Sequence, residues 1–196
     1  MSVAFLRPSL DIEKAIVQEI TQWSTDVLSE PSSHFNGLPP CPYARQAWLD
    51  DKVAIIFKYE RNNQSLYNTL GQFDDHFDIA IIVDLSGHMK SDVFHEYLDD
   101  LNTVISKGMF IDRDLWVMGF HPDDDPSDFV EDVSFTPTID VEYSMIFVQR
   151  LSKLQEAADK LDKKGYYDTY DGEYNAKEIY ARRETLYRRL KDGNET

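Results

Sequence analysis

Apolar residues along this chain follow two rhythms. Leu10, Ile12, Ile16, Ile20, Trp23 and Val27 recur on one helical face, with Ser9 placed to cap the helix and Pro31 to end it. Residues 62–72 carry a second helical pattern. A third is capped by Ser91 and sets Phe94, Tyr97, Leu98, Leu101 and Ile105 on one face before Gly108. Between these lie short continuous runs. Val53-Ala-Ile-Ile-Phe57 and Ile79-Ala-Ile-Ile-Val83 read as strands buried on both faces, and residues 115–120 as a third strand.

Residues 31–40 form a proline- and serine-rich loop, followed by a short predicted helix from Pro42 to about Leu49. Residues 121–126 form another loop, and the irregular stretch 127–140 is placed to cover a site. A long helix is predicted from Val141 to Lys164, ending at Gly165, then a tyrosine-rich turn and a last helix from Ala176 to Lys191. Alternating strands and helices predict an α/β fold: one layered domain, residues 1–165, with a small central sheet of three to five strands flanked by helices. Residues 166–196 are predicted as a C-terminal helical extension packed on it. An antiparallel strand stays compatible with the pattern, because strand order is not readable from it.

Charge narrows the function classes. Twenty basic residues stand against 36 acidic ones, a net charge of -16, which repels nucleic-acid phosphates and anionic lipid. Neither nucleic acid nor membrane is an expected partner. The last helix goes the other way: six basic side chains against two acidic ones, an excess of four that leaves -20 for the rest. It is predicted to dock on the acidic body or on an acidic partner. Cys41 is the only cysteine, which excludes an internal disulfide and fits a reducing, cytoplasmic setting.

That cysteine is also the sharpest chemical candidate. Pro39-Pro40-Cys41-Pro42-Tyr43-Ala44 places the thiol at the predicted helix N-cap, where backbone N–H groups favour an anion. Such a setting lowers a thiol pKa from roughly 8.5 toward neutrality. The bland alternative is a small cysteine that only stabilises the turn. Cys-Pro-Tyr is similar to the glutaredoxin motif, but Ala44 stands where the second cysteine would be and a loop, not a strand, precedes it.

Three segments together resemble an uncharacterised bacterial family, a domain of unknown function. Gly37-Leu38-Pro39-Pro40-Cys41-Pro42-Tyr43-Ala44 resembles its Gly-Leu-x-x-Cys-Pro-Phe-Ala motif. Residues 115–122 are similar to its third strand ending in Phe-His-Pro, and Val141 to Arg150 to its Pro-Tyr-Pro-x-x-His-x-x-Arg helix start. The likeness spans roughly residues 10–160 in motif order. Phe147 stands where the family has histidine and Ser144 where it has proline. The resemblance implies a fold and a site rather than a reaction.

The expected site joins Cys41 as nucleophile with His121, just past the third strand, as its base or as an acid toward a leaving group. Arg150 would orient a carboxylate or phosphate, with Tyr43, Asp123 and Tyr143 as further ligand-binding residues. Taken singly, His121 also fits a loop histidine bonded to Asp123 or Asp125, and Arg150 an ordinary salt bridge. His121 with Asp123, Asp124 and Asp125 can be read as a metal group, but the spacing matches no metal motif, and no metal or other cofactor is assigned. Residues 168–172 fall short of a calcium loop, because Tyr167 stands at the first acidic position. No dinucleotide, P-loop or serine-hydrolase motif is present. The functional expectation is a small anionic ligand held around Cys41, with thiol-dependent catalysis. The alternative is a non-enzymatic acidic protein that binds a basic partner.

Overall fold

A computed structural model describes residues 10–87, 89–108, 112–124, 135, 137–168 and 176–193. Among these residues six α-helices and four strands follow one another as α1 (Leu10–Asp26), α2 (Ala44–Leu49), β1 (Val53–Lys58), α3 (Gln64–Gln72), β2 (Ile79–Asp84), α4 (Ser91–Ser106), β3 (Trp116–Phe120), β4 (Ser144–Gln149), α5 (Leu151–Asp162) and α6 (Ala176–Gly193). The fold is α/β, as the pattern predicts. Among the described residues no helix is long and apolar enough to cross a membrane.

The sheet order is β1-β2-β4-β3. β1 and β2 are parallel, from Val53 beside Ile79 to Lys58 beside Asp84. β4 runs antiparallel to both β2 and β3, so β1, β2 and β3 all point the same way. Their carboxyl ends therefore share one end of the sheet with the start of β4.

This corrects the predicted helix at 141–164. Its first part is a central strand, and only Leu151–Asp162 is helical. Met145, Ile146, Phe147 and Val148 are all buried. A strand flanked on both sides and covered on both faces has no polar face, so its side-chain period of two leaves no mark on the sequence. The other strands fall where their apolar runs predict.

Alternate strand residues feed two cores. Ala80, Ile82, Val117, Ile146 and Val148 face Leu66 and Leu70 of α3 and Phe94, Leu98, Leu101 and Ile105 of α4. Ile81, Val83, Met145 and Phe147 face Ile16, Ile20 and Trp23 of α1. Each fully buried aliphatic side chain contributes about 1.5–3 kcal/mol. Helix α4 lies close on β3: a Cβ at Gly119 would overlap the Phe94 ring and lie 2.7 Å from Leu98 Cδ1. Glycine 108 takes φ +71° just past α4, a left-handed turn that favours a residue without Cβ.

One cap differs from expectation. Lys90, not Ser91, precedes α4 in extended conformation; Ser91 is its first helical residue and its hydroxyl donates to Asp124 Oδ1 at 2.6 Å. The cap assigned to Ser9 lies outside the described residues, as does most of 127–140. Helix α6 packs Leu186 against Trp116 and Leu151. Its exposed Arg182 meets Asp99 of α4 at 2.6 Å, and the buried Arg183 turns toward Gln155 of α5. The basic helix thus docks on the acidic body.

Candidate functional site

Each of the two parallel apolar runs ends in a charge. Lys58 closes β1, Asp84 closes β2, and the two are direct neighbours in the ladder. Lys58 Nζ donates to Asp84 Oδ2 at 2.7 Å and to Ser86 Oγ at 2.9 Å, with only 2% of the lysine side chain exposed. Asp84 also accepts the Ser86 backbone N–H at 2.9 Å and the Ser86 hydroxyl. Above this pair a cleft of about 140 Å³ opens, walled by Arg61, Met89, His121, Asp123, Glu142 and Tyr143. It lies outside the carboxyl ends of β1, β2 and β3, where open α/β sheets place their ligands.

His121 enters the cleft from the end of β3, with its ring against Phe94 at 5.5 Å between centroids. The Asp123 backbone N–H, which can only donate, reaches His121 Nδ1 at 3.1 Å. The ring proton is therefore assigned to Nε2, which donates to the Met89 carbonyl at 2.9 Å. Both ring nitrogens are thus occupied. The Asp123 carboxylate stays outward, 3.8 Å from Nδ1. Asp124 holds the turn itself. It accepts the His121 N–H at 2.8 Å and bonds His95 Nε2 at 2.8 Å, besides the Ser91 hydroxyl. Burial alone would raise its pKa, but the His95 and Ser91 bonds outweigh that and hold it low.

Tyr143 stands just before β4, and its hydroxyl donates to Glu19 Oε2 at 2.5 Å. Burial and then the neighbouring carboxylate push the phenol pKa up. The same Glu19 accepts the Thr138 hydroxyl at 2.6 Å and the Thr138 and Ile139 N–H groups. Burial would raise the Glu19 pKa, but these bonds together lower it. Glu19 thereby ties α1 to the segment entering β4, which forms one wall of the cleft.

The expected site residues divide. His121, Asp123 and Tyr143 come together. Arg150 does not join them. It follows β4 at the opposite end of the sheet, where Nε meets Asp75 at 3.2 Å, Nη1 meets Asp112, and Nη2 meets the Phe73 carbonyl at 3.2 Å. Its placement follows from β4: a six-residue strand, rather than a helix, carries the chain from Tyr143 to Arg150 across the sheet. It forms the salt bridges of the ordinary reading.

Cys41 and Tyr43 line neither this cleft nor the larger one at the sheet's other end. The Cys41 N–H donates to the Leu28 carbonyl at 2.8 Å, more than two helical turns past Glu19, the residue that touches Tyr143. Helix α2 begins only at Ala44, with Tyr43 as N-cap, and is six residues long. The expected lowering of the thiol pKa is reversed. Burial pushes it up, ahead of the Tyr43 and Ala44 N–H groups, which lower it. The half-exposed Tyr43 is displayed beside it.

The larger crevice, about 450 Å³, lies among Asp112, Arg113, Asp114, Ser152, Tyr187 and Lys191. Its carboxylates are already committed. Asp114 accepts the Ser152 N–H at 2.6 Å and its hydroxyl at 2.5 Å, capping α5, while Asp112 holds Arg150. Among the described residues no group of three His, Cys, Asp or Glu side chains is arranged to hold a metal ion. Asp125, part of the metal reading, lies outside them.

Lys58, Asp84, Arg61 and Glu142 are the charged cleft residues that the sequence reading passed over. A signal existed: a lysine and an aspartate each terminate an uninterrupted apolar run of five. Comparison with family models, curated proteins and solved structures found no match.

Proposed function

We propose that the protein binds a small polar ligand bearing an anionic group in the cleft over Lys58 and Asp84. The observation that carries this reading is the buried lysine at the strand ends. A charged pair so far out of water costs desolvation and is a poor way to stabilise a fold. A cation held under a cleft at this end of the sheet is, however, well placed to meet an anion. Arg61 adds a second positive charge at the wall, and Asp123 and Glu142 offer acceptors for hydroxyl or amino groups on the same ligand.

Binding rather than thiol chemistry is what the geometry favours. The Cys41 sulfur stays protonated at neutral pH with its pKa raised, and His121 is fully bonded. The reducing cytoplasm belongs to this proposal, on the strength of the lone cysteine. A second reading, an acidic protein recognising a basic partner, draws on Arg182 and Arg183. Both are turned onto the body, so the docked helix does not offset the acidic surface elsewhere.

The test is NMR titration of the intact chain with inorganic phosphate and with acetate. Saturable shifts confined to the amides of Lys58, Ser86, His121 and Tyr143, and lost in Arg61→Gln, are expected. Shifts scattered over the surface, or centred on Cys41, would overturn the proposal.

A further inference from the structure

The two edges of the sheet are finished differently. On β3 the buried Asn102 side chain, from α4, acts as a substitute strand. Its amide nitrogen donates to the Val117 carbonyl at 2.7 Å and its oxygen accepts the Val117 N–H at 2.8 Å. Among the described residues β1 has no such cover. The Lys52 carbonyl accepts the Ile79 N–H and the Lys58 carbonyl accepts the Leu85 N–H. Even-numbered residues from 52 to 58 therefore turn their backbone groups toward β2, and Val53, Ile55 and Phe57 turn theirs outward. Among the described residues, none of those three has a backbone hydrogen bond outside the sheet ladder.

Edge strands are usually blunted by proline, charge or a bulge. Residues 53–57 carry neither proline nor charge, and the pairing with β2 advances one residue at a time without a bulge. They are half-buried, whereas residues 80–83 of β2 are buried.

We infer that β1 is where two copies of this chain join, antiparallel about a twofold axis, to form one continuous eight-stranded sheet. The parity of the backbone allows the axis at Ile55 or at Ile56, and charge selects between them. Centred on Ile55, Lys52 would oppose Lys58 of the second copy. Centred on Ile56, Lys52 faces Glu60 of the second copy on both sides of the axis, Ile55 faces Phe57 and Val53 faces Tyr59. Lys52 Nζ donates to the His76 carbonyl at 2.7 Å, and Glu60 accepts from Ser65 with one oxygen and from the Tyr59 N–H at 3.2 Å with the other. An ammonium with three protons and a carboxylate with two oxygens each retain capacity for a partner.

Net charge would oppose self-association of so acidic a chain. This edge is the exception. Lys52, Lys58 and Arg61 are set against Asp50, Asp51, Glu60 and the Asp84 that pairs with Lys58, so the strand and its flanks carry a net of one negative charge, with both signs interspersed. Acidic and basic side chains alternate here, with Asp51 opposite Arg61 of the second copy in the register centred on Ile56, and this favours a second copy over a uniformly basic peptide.

Sedimentation velocity on the full chain tests this. A concentration-dependent shift from 22.8 kDa to twice that mass is expected. Lys52→Glu and Glu60→Lys should each weaken the dimer about tenfold or more, and the two together should restore it. Because Glu60 also holds Ser65 at the start of α3, hydrogen exchange of the unaltered chain supplies an independent readout. The amides of Val53, Ile55 and Phe57 should become protected as concentration rises, while Ala54 and Ile56 are protected throughout. A monomer at every concentration overturns the inference, as does a dimer in which the odd-numbered amides still exchange freely.

Discussion

Both ends of the sheet carry a cation bonded to carboxylates, yet the two arrangements do different work. At the amino ends of β1, β2 and β3, Arg150 draws Asp75, Asp112 and the Phe73 carbonyl together, and Asp114 caps α5. Its carboxylate partners are 78% and 43% exposed, so water shares the solvation of those charges. At the carboxyl ends, Lys58 and Asp84 are 2% and 15% exposed, and open space lies directly above them. The first arrangement is a clamp between loops. The second keeps a charge away from water beside a cavity. Neither ion pairing nor an adjoining cavity separates the two ends, since the larger crevice borders Asp112; the exposure of the carboxylate partners does.

The largest effect should follow from stranding the buried cation. Asp84→Ala is expected to destabilise the chain by about 3–5 kcal/mol in urea unfolding. Lys58→Met with Asp84→Leu should recover most of that stability and abolish the anion-induced shifts, which separates the fold's need for the pair from the ligand's. Next comes Arg150→Met, expected to cost about 1 kcal/mol because its partners remain hydrated. A loss at Arg150 larger than at Asp84 would invert the contrast between the two ends.

A smaller, pH-dependent effect belongs to Glu19. Its pKa in the folded chain lies below the ordinary carboxylate value of 4.5, so its contribution is present above that value and is lost as pH falls through the folded pKa. Glu19→Gln should therefore be less stable than the parent at pH 7, with the gap closing below pH 4.5 in thermal melts. The smallest change is expected from Cys41→Ala, which should leave the phosphate titration of the cleft unaltered. A shift in that titration would restore the sulfur to the site.

Much of the architecture was legible because apolar runs bracketed by helical repeats leave few alternatives. The exception, β4, shows the limit. Ser144 to Gln149 is apolar at four successive positions and leads directly into α5, so strand and helix read as one element. That single misreading moved Arg150 across the sheet. His121, Asp123 and Tyr143 were legible through their place at strand ends. Lys58 and Asp84 were not, since a charge closing a strand looks the same whether it meets solvent or is folded under a loop. For Cys41, the sequence displays the backbone amides that follow it but not the surroundings that desolvate the sulfur.

The last strand in the chain occupies a central position in the sheet, between β2 and β3. On a ribosome, β1–β2 and β3 must wait as unjoined pieces until residue 149 has left the exit tunnel. Every nascent chain passes through a stage with apolar strand edges open on both halves. A stop codon placed before residue 144 should yield insoluble product, however well α1 to α4 fold.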